Sequence, residues 1–420
     1  MRSNGLIYRT WISTISVLAI SVVPAFAQLN GSKIQQNSIV DAIKNGKPII
    51  DIRYRYEHKS QDGFFESAYS NTVRTRIGYE TGEIYNFKFL VEFENVTSIG
   101  DEHFNSTTNG RTEFPVIVDP DSTEINRAQV MFAGIEKTPI TIGRQRVSLN
   151  NHRFIGAVDF RQNQQTFDAA RISSTIIENL TVEYMYISRV HRVFGNDSPI
   201  GEFDSNSHVF SAAYDAGSIG VFKAYGVLLD LDEAPGLSSE TWGLRYEKLI
   251  TVDKERAINL RIVGEYASQK DYASNPIDYS EDYIHGEVSL HVDQFAGTIG
   301  YEELGGDGVV GFSTPLATLH KFQGFADVFL MTPAAGLEDM YGTLSYAWED
   351  LPVVDNIQVF TTFHRFEGAI GKLDFGSEFD AGLVVHFKKH WSAELKGADY
   401  DGAGAFADRR LLWVSLRFQY

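Results

Sequence analysis

From Lys47 to the C-terminus the chain alternates between apolar and charged positions. In KPIIDIRYRYEH, Ile50, Ile52, Tyr54 and Tyr56 fall on one face, and Asp51, Arg53, Arg55 and Glu57 on the other. That is strand geometry, in which successive side chains point to opposite sides. Residues 70–80 set Val73, Thr75, Ile77 and Tyr79 against Arg74, Arg76 and Glu80. After a tight turn at Gly82, Phe87, Phe89, Val91 and Phe93 oppose Lys88, Glu92 and Glu94. The same alternation predicts further strands at about 123–136, 139–148, 166–175, 179–190, 207–216, 219–230, 239–250, 256–268, 281–292 and 296–303. It then predicts strands at about 340–349, 356–366, 376–388, 391–400 and 409–420. No segment longer than one strand holds a helical period.

Most of these strands run about ten to twelve residues, enough to cross an outer membrane at a tilt. Their connections alternate in length. Gly82-Glu83, Lys137–Pro139, Asp215–Ser218 and Asp293–Ala296 are short, whereas 97–122, 149–165, 190–206, 269–280 and 304–339 are long. His320–Met331 would serve as another strand, but reading 304–339 as one excursion keeps the alternation and an even count. The expected fold is therefore all-β: a transmembrane antiparallel β-barrel of about 18 strands over residues 47–420. Short turns would lie in the periplasm and long loops outside. In lipid such a sheet must close, because an open edge leaves backbone groups unpaired. A soluble sandwich shares the alternation, but not the strand length or the unequal loops.

The ends of the chain fit that compartment. MRSNGLIYRTWISTISVLAISVVPAFAQ has a basic start at Arg2 and Arg9, an uncharged apolar core, and the small-residue cleavage site Ala25-Phe26-Ala27. Residues 1–27 are expected to be a cleaved signal peptide. Residues 28–46 read as a short periplasmic lead-in. The closing strand LLWVSLRFQY ends on Tyr420, a terminal aromatic of the kind expected to engage the barrel assembly machinery. The expected site is the outer membrane of a Gram-negative cell, in contact with its lipid. Cysteine is absent, so no disulfide holds the chain. A net charge of −18 argues against a nucleic-acid partner. The 29 Phe and 20 Tyr suit aromatic girdles at two membrane interfaces.

If the apolar faces meet lipid, the charged faces line a lumen. That lumen would carry Arg53, Arg55, Arg74, Arg76 and Arg127, with Arg144 and Arg146 sharing one face and Arg171 on the returning strand. Rings of Arg select anions, and a guanidinium grips a carboxylate in a planar fork. Acids such as Asp51, Glu92, Glu94, Glu183, Glu378 and Asp380 fall on the same faces. The alternatives are an Arg-rich zone near the first six strands and a balanced salt-bridge lattice. Segment 304–339 would be either an inward plug or an outward cap. Gly306-x-Gly308-x-x-Gly311 opens no helix, so it is no dinucleotide loop. His285-x-Glu287 lacks a third ligand for zinc. His152 with Ser148 is the nearest hydrolase-like pair and has no third orienting group. No enzyme, cofactor or metal is expected.

ITIGRQRVSLNNHRFIGAVDFRQNQQTFDAARI, residues 140–172, resembles the alginate export family of bacterial outer-membrane barrels, and HKFQGFADVFLMTPAAGLEDMY at 320–341 is similar to a later block of that family. The resemblance implies a pore whose Arg-rich constriction guides an anionic polyuronate outward, with periplasmic export partners handing it over. It carries over most directly to Arg144 and Arg146 of GRQR, and then to Arg171. The expected cargo is thus an anionic polysaccharide or small anions. A general porin with a salt-bridged lumen is the alternative, and a barrel enzyme or adhesin is the alternative from another class.

Overall fold

The computed structural model describes residues 38–349 and 351–420. The expected signal peptide and residues 28–37 of the expected lead-in lie outside the described residues. The rest of the lead-in carries a short helix, α1 (Ile39–Lys44). Eighteen strands follow. They are β1 (Lys47–Gln61), β2 (Ala68–Glu80), β3 (Phe87–Ser98), β4 (Ser122–Phe132), β5 (Ile140–Gln145), β6 (Thr166–Ser174), β7 (Leu180–His191), β8 (Glu202–Asp215) and β9 (Val221–Leu229). The second half comprises β10 (Ser239–Asp253), β11 (Ile258–Asp271), β12 (Ser280–Val292), β13 (Phe295–Leu304), β14 (Leu337–Glu349), β15 (Asn356–Glu367), β16 (Asp374–Phe387), β17 (Trp391–Gly402) and β18 (Arg409–Gln419). Each pairs antiparallel with its neighbours in sequence, and β1 pairs with β18, so the sheet closes on itself. Both ends of the barrel segment meet at the short-turn end, where Tyr420 and Ile50 exchange backbone hydrogen bonds.

The expected strand count and the single excursion between β13 and β14 match this architecture. Several strands depart from their expected bounds by a few residues, and two of these shifts are the largest in length. β8 reaches back to Glu202, and β5 stops at Gln145 after six residues. β4 consequently pairs with β5 only over Ala128–Phe132, while its Ser122–Arg127 portion has no partner on that side. Gly143 sits at this junction with φ +115, and a Cβ there would lie 2.3 Å from the Ala128 carbonyl oxygen. That backbone is open only to glycine.

The outer face is a belt of exposed apolar side chains, among them Ile77, Phe93, Ile142, Leu244, Ile299, Phe363 and Leu416. These positions need lipid, since in water so large an apolar surface would drive association. The inner face is charged toward the short-turn end. Toward the long-loop end it turns apolar: Ile187, Val227, Leu229, Tyr283, Phe366 and Trp413 are buried there. Two loops cover them by folding into the barrel. Residues 146–165 bring in Val147, Leu149, Phe154 and Ile155, and residues 305–336 bring in Phe312, Leu316, Ala326 and Phe329. Phe154 packs against Tyr225, Tyr283 and Phe312. The hydrophobic core of this barrel therefore lies inside its lumen.

The two loops are knitted together by backbone hydrogen bonds, Gly156 donating to Leu316 and Thr318 to His152. Gln165 adds a buried side-chain bond to the Leu316 carbonyl at 2.9 Å. Of the two readings for segment 304–339, the structure has the inward fold.

Candidate functional site in the lumen

Barrel closure creates the central feature. Arg53 on β1 lies opposite Arg417 of β18 on one side and Arg74 of β2 on the other. Like charges directly opposite in a sheet repel, so this row of three guanidiniums needs compensation. Asp51 provides part of it, 2.7 Å from Arg74 and 2.6 Å from Arg417. Arg53 turns instead to the inward loop. It donates to Gln162 at 2.8 Å and to the Asp159 carbonyl at 2.9 Å, and also to the Arg161 carbonyl. Those partners are neutral, so its charge stays uncancelled by any direct ion pair among the described residues.

The row has flanks. Arg76 pairs with Glu94 and stands 3.9 Å from Asp51. Arg55 lies over the Phe160 ring at 4.4 Å and 4.0 Å from Asp119. Arg146 stands 3.7 Å from Asp159 and keeps 47% of its side chain exposed. Burial works to raise the Asp159 carboxyl, but Arg146, Arg76, Arg417 and Arg74 outweigh it and hold the group below its ordinary range. One loop carboxylate thus senses four guanidiniums from two strands, β2 and β18, and from its own loop.

The remaining expected residues are more scattered. Arg127 forks onto Glu92 at 2.9 and 2.6 Å. Arg171 pairs with Glu183 on the same inner face. Arg144 is in register with Ala128 and Asp168, on the face that carries Ile140, Ile142 and Ile172. Ile142 is 59% exposed, so this face looks outward. There Arg144 binds Asp168 at 2.9 Å, and Asp168 in turn binds His191 at 2.9 Å. Arg144 and Arg146 therefore do not share a strand face. The strand ends at Gln145, and with it the alternation that would have placed them together.

Acids on β13, β16 and β1 itself hold the inward loops. Glu378 and Asp380 accept the backbone N–H groups of Ala326 and Phe325 at 2.7 and 3.2 Å. Gly324 comes against Glu378 with φ +78, where a Cβ would sit 2.4 Å from the carboxylate. Arg153 reaches Glu302 at 3.1 Å, which also accepts from Gln323. Arg161 bridges Glu57 and Asp327, at 3.1 and 3.0 Å, and so ties the two loops to β1. Arg409 donates to the carbonyls of Ala326 and Asp327. Sequence alternation put Glu378 and Asp380 on the inner face, but nothing local signalled that backbone N–H groups some fifty residues away would meet them. Among the described residues no group of three or more His, Asp or Glu side chains is placed to hold a metal ion.

His320 sits between Asp327, 2.9 Å away, and the rings of Phe160 and Phe325. Burial dominates over Asp327 and lowers its pKa below the ordinary 6.5. Burial likewise lowers His152 to about 4. Burial tends to raise Asp327, but His320, Arg161 and Lys59 hold it at about 2. A buried neutral His stabilises the closed loops fully above its unfolded pKa, and that stability is lost as pH falls below it. Asp327 stays ionised through the same range, because its contribution is lost only as pH falls from 3.8 toward 2. Acidification from pH 7 to 5 should therefore loosen both inward loops. Protease cleavage within 305–336 is expected to accelerate over this range, and less so in His320→Gln; a flat pH profile would contradict the account.

Residues 49–192 match the model of the alginate export family. No curated protein matches the chain. Similar solved structures include Pseudomonas aeruginosa OpdK with vanillate, at 10% identity and TM-score 0.67, covering 90% of this chain and 99% of that one. Acinetobacter baumannii OccAB4 is similar at 13% identity and TM-score 0.68, covering 89% and 98%. Pseudomonas aeruginosa OpdQ is similar at 13% identity and TM-score 0.68, covering 91% and 99%. At these identities the likeness is one of fold.

Proposed function

Taking this chain as an outer-membrane barrel of the porin type whose residues 49–192 match the alginate export family, we propose that it passes small anionic solutes, sugar carboxylates among them, without a cofactor. The observation that carries this reading is the Arg417–Arg53–Arg74 row. Three guanidiniums abreast set up a positive field that attracts a passing carboxylate, which would meet it at Arg417, since Arg53 and Arg74 are buried. Arg146 extends the row toward the long-loop end, with Arg55 and Arg76 beside it. Arg127 and Arg171 widen the positive field, each shared with a glutamate. Arg144, on the outer face, positions Asp168.

A second reading, export of an alginate-like polyuronate, is favoured by the family match, which spans GRQR and FDAARI. It requires the two inward loops to part and periplasmic partners to deliver the chain. In either case the terminal Tyr420 would serve the barrel assembly machinery.

The test is reversal potential of the refolded barrel in a planar bilayer under a salt gradient, followed by addition of glucuronate or polyuronate. Anion preference is expected, and Arg74→Gln with Arg417→Gln should shift it toward cations. A cation-preferring parent, or a double variant with unchanged selectivity, overturns the reading. Block by polyuronate but not by glucuronate moves the function to polymer export.

A further inference from the structure

The short helix α1 carries an apolar face that the barrel leaves open. Helical spacing puts Ile39, Val40 and Ile43 on one side, where they are 70%, 57% and 56% exposed. Asp41 falls on the opposite side, and Ala42 is buried. Three bulky aliphatic side chains turned away from the protein leave apolar area that burial elsewhere would recover.

The position of the helix says what covers them. Tyr79 shares its strand face with Ile77, one of the outward belt residues. Its hydroxyl donates to the Ile43 carbonyl, and it packs so closely on Gly46 that a Cβ there has no room. Gly82, in the turn between β2 and β3, donates its N–H to the Ala42 carbonyl at 2.8 Å. α1 therefore rests against the outer side of the wall at the short-turn end, not beneath the lumen. Outward aromatic pairs stand at the same end on either side of it. Trp391 packs on Phe418 at 5.1 Å across β17 and β18, and Phe87 on Phe132 at 4.9 Å across β3 and β4. Such rings mark the boundary between headgroups and acyl chains. Between the two pairs, β1 and β2 present Tyr79 with α1 upon it.

We propose that α1 is an interfacial foot, bound to the phospholipid of the periplasmic leaflet. Ile39, Val40 and Ile43 enter the boundary of headgroups and acyl chains, Asp41 stays toward water, and the exposed Lys44 reaches up to the phosphates. Six helical residues would not hold themselves in a leaflet alone. The barrel delivers them there through Tyr79 and Gly82, so the contact is made without the loss of overall freedom that a separate helix would suffer. What is recognised is an apolar boundary with phosphate above it, not one headgroup in particular. The foot completes the interfacial girdle over β1 and β2.

The chain holds no cysteine, so one introduced cysteine gives a unique place for a label. The test is a bimane on Val40→Cys in the folded barrel, reconstituted in phosphatidylcholine vesicles and quenched by doxyl-labelled lipid or by iodide in the water. Asp41→Cys is the water-facing control and Ile299→Cys the lipid-facing one. Doxyl quenching is expected to be several-fold stronger in Val40→Cys than in Asp41→Cys, with iodide in the reverse order. Should Val40→Cys fail to fold, Ile43→Cys takes its place. In Ile39→Asn with Ile43→Asn, amide exchange across α1 in vesicles is expected to quicken several-fold, because the lipid contact is gone. A Val40→Cys label that iodide reaches as readily as the Asp41→Cys label overturns the proposal. So does a label that neither quencher reaches, which would mean that protein covers this face, and so does amide exchange unchanged in the double variant.

Discussion

Excising residues 313–331 and joining Phe312 to Thr332 through Gly-Ser should raise single-channel conductance several-fold. The two cut ends are already together, because the Thr332 hydroxyl donates to the Phe312 carbonyl at 2.7 Å. The segment between them fills lumen and contributes nothing to the ladder, which runs from β13 directly to β14. Its loss frees Glu378 and Asp380 from the N–H groups they now accept, and both carboxylates would meet water rather than stay buried without a partner. The barrel is therefore expected to fold, to show unchanged heat-modified migration on a gel, and to conduct far more. Conductance equal to that of the parent would mean that the ion path does not run past this segment.

The second large effect is expected from Arg153→Met. Arg153 and Glu302 are almost fully buried, 3.1 Å apart, with Gln323 and Tyr283 donating to the same carboxylate. The Arg153 guanidinium also lies over Phe322 at 4.6 Å. Removing one member of such a pair strands the other charge, at roughly 3–5 kcal/mol. Here that strain can be released by letting segment 305–336 swing away from the wall, so the expected readout is local. Protease cleavage within the segment should rise on the order of a hundredfold, which is what about 3 kcal/mol gives when cleavage follows the open fraction. Adding Glu302→Gln should recover most of the protection, because an amide is far cheaper to bury than a carboxylate. Cleavage unchanged in the single variant would show that the pair does not hold the loop.

Most of the architecture was legible because a strand's period of two is a local signal. The outward positions of β1, β2 and β3 were readable residue by residue, and the unequal connections set both the strand count and the status of segment 305–336. What escaped was non-local. The Arg417–Arg53–Arg74 row exists only because β18 closes onto β1, with a register no local pattern records. The inner apolar core escaped for a related reason. Val190, Val227, Leu229 and Trp413 read simply as strand residues until loops from elsewhere cover them. Arg144 was placed by an alternation that stops one residue later, where the chain leaves the wall for the lumen.

That early departure has a mechanical consequence. A barrel is a hoop of staves, and it bears lateral stress only as well as its shortest joint. Most joints here run nearly the full height of the wall, as between β10 and β11 from Ser239 to Asp253. The joint between β4 and β5 spans only Ala128–Phe132. Above it the wall is completed by side chains of the inward loop, Ser122 donating to Asn163 at 2.6 Å and Asn126 to Gln164 at 2.9 Å. The loop that narrows the lumen is thus also the splint across the hoop's thinnest joint, and a load that tears the barrel open laterally would start its split there.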